Sequence, residues 1–205
     1  MNKKKNKILK GDFGYFAYEK KKRLLTTLIL FAIPLIALIA GVVVTGKKEN
    51  IVTVIAVVGC LPACKSLVSC IMMMMQKSMD KEIYEKINPH TEGLVVSYEM
   101  LLTTYEKNAY VDSFAICGNK VIGYSSRLNC SPQFVEQHVR KILKQNGYKT
   151  EVKVVKELNA YVERLDYMRA HKDELQRDIV FEPDPRYPGY SREDMIKHVI
   201  LAISL

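Results

Sequence analysis

Glycine is scarce in this chain, with ten in 205 residues. None of them builds a glycine-rich phosphate loop, and neither an HExxH nor a GxSxG string occurs. The usual signatures of a phosphate-loop nucleotide hydrolase, a zinc peptidase and an α/β-hydrolase are therefore missing. The five cysteines, Cys60, Cys64, Cys70, Cys117 and Cys130, are odd in number and irregularly spaced, which argues against a disulfide framework. Cys117, Cys130 and His138 do not match a zinc spacing. His90, His138, His171 and His198 fall one per element and make no metal set. No cofactor and no metal is implied. Repeats, low-complexity tracts, lipidation motifs and long linkers are also missing.

Acidic residues are few in the first third. Residues 1–75 hold 12 basic and three acidic side chains, whereas residues 76–205 hold 19 of each. The whole net charge of +9 thus surrounds the most apolar part of the chain, and a uniformly basic soluble protein is excluded. Nucleic acid is not an expected partner of a neutral C-terminal part. The apolar fraction of 48% also excludes a disordered chain.

Charge is absent altogether from Leu24 to Gly46. A second apolar run, Ile51 to Met75, is interrupted only by Lys65. A helix needs about 20 such residues to cross a bilayer, and Pro34 is tolerated in that setting. The two runs, 24–46 and 51–75, read as a transmembrane hairpin joined by a polar turn at 47–50. A cleaved signal peptide would have a shorter apolar core and no second run. Nine basic residues precede the first run, four of them in Lys20-Lys21-Lys22-Arg23. The positive-inside rule then places both termini in the cytoplasm of a multi-pass cell-membrane protein. Residues 1–23, with Phe13, Tyr15, Phe16 and Tyr18 among the lysines, form a juxtamembrane arm suited to the bilayer surface and its anionic lipids. Lys65 has two readings: snorkelling toward the cytoplasmic headgroups, or an intramembrane cation lining a site. Cys60 and Cys64, four apart, suit helix packing better than metal binding.

Beyond the second run, Met79, Ile83 and Ile87 continue at helical spacing, so a helical stalk is expected over 76–89, ended by Asn88-Pro89. Its stripe would pack on its own domain or pair with a second copy. Residues 90–205 should form a cytosolic α+β domain of order β-β-β-α-β-α-α. Residues 94–106 fit a strand or a helix, and their Thr, Val and Tyr content favours strand. Residues 110–117 and 121–126 read as a hairpin about Gly118-Asn119-Lys120. Ser131-Pro132 opens a helix that Asn146-Gly147 closes. Tyr148 to Lys156 alternates as a strand, and 157–177 is an amphipathic helix. Ser191-x-x-Asp194 is a capping box for the last helix, expected to reach Ser204.

The order helix–strand–strand–strand–helix–strand is similar to the core of restriction-endonuclease-like nucleases. That resemblance implies an acidic residue on the second strand, where Asp112 stands, and a Glu/Asp-x-Lys on the third. The third strand here reads Val-Ile-Gly-Tyr-Ser-Ser and departs from it. The GDFGYF and KKKR entry, the NIVTVIAVVGCLPACKS run and the CGNKVIGY hairpin resemble two-helix membrane proteins of Gram-positive anaerobes, which implies membrane localisation and no particular activity. Two functional expectations follow. The first is a membrane-anchored cytosolic binding or regulatory module, with a protein partner or a second copy of itself. The alternative is a membrane-tethered nuclease-like or other hydrolase effector, with Asp112, Cys117 and His138 as candidate catalytic residues.

Overall fold

The computed structural model describes residues 8–46, 51–104, 108–177, 179, 181 and 185–205. The expected polar turn at 47–50 and residues 182–184, the start of the proline-containing stretch EPDPRYPGY at 182–190, lie outside the described residues. The chain divides into two units, Gly14–Ser78 and a second made of Met1–Phe13 with Met79–Leu205.

The first unit is a pair of long helices, α1 (Tyr15–Thr45) and α2 (Ile51–Met74). Both are long and apolar enough to cross a membrane, and only 17% of the residues in the most apolar window of each are buried. A core helix of a soluble protein would be mostly covered. The buried positions of α1 include Thr27, Pro34 and Gly41, and those of α2 Ala56, Ala63 and Cys70, each set spaced by seven. Such a seam of small residues lets two helix backbones approach closely. Three contacts fix its antiparallel register. Arg23 Nη1 donates to Ser69 Oγ at 2.8 Å, Thr27 and Ser66 share a hydroxyl hydrogen bond of 2.8 Å, and Gly59 lies against Pro34. The first helix begins at Tyr15, earlier than the start of the apolar run. Glu19 pairs with Lys22 and Arg23 at 3.5 and 3.2 Å, and i,i+3 and i,i+4 pairs of this kind support a polar helical turn. The 1–23 arm is therefore no single piece. Its second half is helix, and its first half belongs to the other unit.

The expected continuous stalk over 76–89 is broken. Helix α2 stops at Met74, and a separate helix α3 (Lys81–Ile87) follows, with a 3-10 turn at Asn88–His90. Met79, Ile83 and Ile87 pack in cis against one face of a sheet. That sheet is four-stranded, in the order β1 (Val95–Thr103), β2 (Asn108–Cys117), β3 (Lys120–Tyr124), β4 (Glu151–Val155). Strands β1, β2 and β3 are antiparallel neighbours, while β4 runs parallel to β3. The ambiguous segment is thus strand over Val95–Thr103, and residues 105 and 106 lie outside the described residues. Helices α4 (Pro132–Gln145) and α7 (Arg192–Ala202) cover one face, with Val135, Val139, Leu143, Ile196 and Ile200 in its core. Helices α3 and α5 (Leu158–Ala170) cover the other, through Tyr161, Leu165 and Met168. The expected helix at 157–177 ends at Ala170, and a short α6 (Lys172–Gln176) follows. The last helix ends at Ala202, and the chain beyond it pairs with β1 through Leu205 N–H to Leu101 O at 2.8 Å.

Both sheet edges are covered. Gly11 O accepts the Tyr98 N–H at 2.7 Å along the outer edge of β1, the edge that the C-terminal residues also join. On β4, Glu136 Oε1 accepts the Val154 N–H at 2.8 Å and Arg140 Nη2 donates to Val152 O at 3.2 Å. An uncovered edge would invite pairing with another chain.

The alternation of side chains along β1 and β2 slips once. Val96 and Tyr98 face the α5 side, yet Met100 and Leu102 face the α4 side; on β2, Ala115 faces α5 while Val111 and Phe114 both face α4. The slip falls at Glu99, which has φ 52°. Glu99 lies across from Asp112, between the register pairs Tyr98–Ser113 and Met100–Val111. A positive φ outside glycine marks a bulge-like break in the pleat.

Candidate functional site

The slip brings two carboxylates into the interior, Glu99 at 2% exposure and Asp112 at 1%. Both accept backbone hydrogen bonds: Glu99 from Met79 N–H at 3.0 Å and Asp112 from Ser126 N–H at 2.6 Å. Burial lifts the Asp112 carboxyl above its ordinary value, the Ser126 bonds and Arg127 draw it back, and the Asp80 charge raises it further. Beside it, burial and the Asp112 and Glu99 charges hold the Tyr110 phenol far up in pKa.

The other two candidates from the sequence are elsewhere. Cys117 is buried among Ala115, Leu165 and Met168 on the α5 side. Burial, with the Glu193 charge, raises its thiol, so it is a poor nucleophile at neutral pH. His138 rides on α4, on the opposite side of the sheet, with its ring stacked on Phe134 at 6.2 Å and 5°. Partial burial and the nearby Lys141 lower its pKa. The fold therefore does not bring Asp112, Cys117 and His138 together. Among the described residues, no group of three His, Cys, Asp or Glu side chains is placed to hold a metal ion.

Lys65 is exposed on the outward side of α2. The hairpin register sets its depth: Ser69, four residues further along α2, is level with Arg23, the last residue of the basic cluster. Lys65 is therefore one turn, about 6 Å, from that level, within reach of a lysine side chain.

A cation cluster that the residue-by-residue reading passed over surrounds the start of β4. Between Arg140 and Lys156 the chain carries six cations (Arg140, Lys141, Lys144, Lys149, Lys153, Lys156) and one carboxylate, Glu151. A charge count in short windows, in place of one over the whole domain, would have exposed it. One open cleft of 600 Å³ is lined by Arg140, Lys144, Tyr148, Lys149, Thr150 and Glu151. Its frame is rigid. Tyr148 N–H bonds Leu143 O at 2.9 Å and Gly147 N–H bonds Lys144 O at 3.1 Å, with Gly147 at φ 86°; together these make a Schellman ending for α4. The Arg192 guanidinium lies 5.8 Å from the centre of the Tyr148 ring, and Glu151 N–H bonds Asn119 O at 2.7 Å. A neighbouring cleft of 220 Å³ shares Glu151 and adds Lys120, Lys153, Arg164 and Tyr167.

Comparison with known protein families, with curated proteins and with solved structures returned no match. The functional reading rests on the geometry of this chain.

Proposed function

We propose that this chain is a membrane-anchored binding or regulatory module. The α1–α2 hairpin is the anchor, both termini face the cytoplasm, and the sheet unit acts there by binding. The observation that carries this reading is the hairpin itself: two helices whose outward faces beyond the level of Arg23 and Ser69 are mostly apolar, with Lys65 the one charge there among the described residues, packed through small residues. Nine basic residues precede the first apolar run against two, Lys47 and Lys48, in the turn, and by the positive-inside rule this excess favours the cytoplasm for the first end. Lys65, one turn inside, snorkels to the same headgroups. In the sheet unit, the buried polar groups about the middle of β1 and β2 are spent on the fold: Asp112 and Glu99 hold backbone N–H groups, and Ser113 bonds the Tyr161 hydroxyl at 2.9 Å.

A cysteine-accessibility scan in intact cells tests the anchor. Single cysteines at 47–50 should label from outside, and one at Asn129 only after permeabilisation; labelling at Asn129 from outside overturns the orientation. The second reading, a nuclease-like hydrolase held at the membrane, is favoured by one observation. The order α3–β1–β2–β3–α4–β4 sets Asp112 at the centre of β2 beside Glu99. Its weak point is β3, whose Val121-Ile122-Gly123-Tyr124 offers no carboxylate. Loss of a divalent-metal-dependent phosphodiesterase activity in Asp112→Asn would favour this reading over the first.

A further inference from the structure

We propose that the cleft at the start of β4 binds a phosphomonoester group, with Arg140, Lys144, Lys149 and Thr150 as its contacts and Tyr148 as its wall. This rests on the reading of the sheet unit as a binding module and names its ligand. Three cations from two stretches of chain, the last turns of α4 and the loop before β4, line one concavity. Like charges converging there repel one another unless an anion sits between them. Thr150 adds a donor, since its hydroxyl is buried and lacks a hydrogen-bond partner among the described residues. Arg140 spends one N–H on Val152 O and keeps the rest of its fork.

The chemistry of the donors selects the ligand. A phosphomonoester at neutral pH carries close to two negative charges and three terminal oxygens, which suits three cations and a hydroxyl. A carboxylate, with one charge and two oxygens, would be met by the Arg140 fork alone. A nucleic-acid backbone offers one charge per phosphate along a line, and these cations converge in a hollow. Glu151 lines this cleft as well, leaving the cations in excess there three to one, and it also lines the adjoining cleft together with Lys120, Lys153 and Arg164. The group can come from a soluble phosphate ester or from a lipid headgroup such as phosphatidic acid.

The test uses the full chain, purified in phosphatidylcholine nanodiscs or without lipid as its solubility dictates, so that failure of the anchor reading is seen before any ligand is added. Glycerol 3-phosphate is titrated calorimetrically, and flotation with vesicles of phosphatidylcholine, with and without phosphatidic acid, is run in parallel. Binding in either arm is expected, weakened about tenfold or more in Lys144→Gln/Lys149→Gln and weakened in Thr150→Val. Lys141→Gln/Lys156→Gln, which removes the same charge outside the cleft, should bind as the parent does. A soluble source appears in the first arm, a lipid source only in the second. Absence of binding in both arms, or equal loss in the two double variants, overturns the proposal.

Discussion

Single residues decide several features that look alike in the sequence. Ser131 and Ser191 both precede a helix. Ser191 accepts the Asp194 N–H at 3.1 Å and Asp194 Oδ2 accepts the Ser191 N–H at 3.1 Å, a complete capping box; Ser131 makes no side-chain cap bond. Ser191→Ala should therefore cost about 1 kcal/mol, and Ser131→Ala no more than about 0.5 kcal/mol, as thermal melts of the full chain will rank them. Phe134 is half-buried beside His138, so Val139 and Leu143 carry the α4 core, not Phe134. Gly118, expected in a tight turn, has φ 56°, and a Cβ there would also stand 2.2 Å from Leu175 O. Asp112 titrates against the fold. Its folded pKa lies above the ordinary 3.8, so its contribution to stability is full below that value and lost as pH rises through the folded pKa. Asp112→Asn should raise the melting temperature at pH 7, and the gap should close as the pH falls toward about 4.

At the scale of elements, the edge of β4 is the exposed liability. It is the outer strand on its side, and two side chains from α4 occupy its outward N–H and C=O groups. Glu136→Ala leaves the Val154 N–H without its acceptor. A loss of about 1 kcal/mol is expected, together with concentration-dependent self-association in analytical ultracentrifugation, since a bared edge pairs with its like. Unchanged sedimentation at high concentration would show that Arg140 alone shields the strand. The β2–β3 turn is held from outside as well: Arg192 donates to Gly118 O at 2.6 Å, and Glu193 accepts the Gly118 N–H at 3.1 Å. The start of α7 thus clamps a hairpin 74 residues upstream in the chain.

For the molecule as a whole, the sheet unit is assembled from both sides of the hairpin in sequence. Phe13 stacks on Tyr84 with ring centroids 4.0 Å apart, Gly11 O completes the β1 edge, and Lys10 Nζ donates to Ser204 O at 2.6 Å. A fragment starting at Glu92 would lack these groups and also Met79, Ile83, Tyr84 and Ile87 from the α5-side core. Losing even one large buried side chain costs about 2–5 kcal/mol, against a total stability of about 5–15 kcal/mol. Residues 92–205 alone should therefore show helical far-ultraviolet but collapsed near-ultraviolet circular dichroism, and bind a hydrophobic dye. A sharp cooperative melt of that fragment would show that the N-terminal segment and α3 are accessory.

Local rules explain what was legible. The apolar runs, the β2–β3 hairpin, the Schellman stop at Asn146-Gly147 and the capping box at Ser191 each depend on neighbours within a few residues, where composition and spacing carry the physics. The break of the stalk after Met74 and the division of the 157–177 helix at His171 were not legible, because the apolar spacing runs on through both; which helix faces the sheet is settled by contacts distant in the chain. The slip at Glu99 and Asp112 was hidden for the same reason: strict alternation fits each strand read alone, and only the paired strands and their two flanking cores show the change of face. Asp112, Cys117 and His138 are candidates by residue type alone, and the fold sends them to separate surroundings. The cations about β4 are present in the sequence as a local excess over 140–156. Whether they converge in a hollow or scatter over a surface depends on the angle at which α4 returns to the sheet edge, and side-chain packing across the sheet sets that angle.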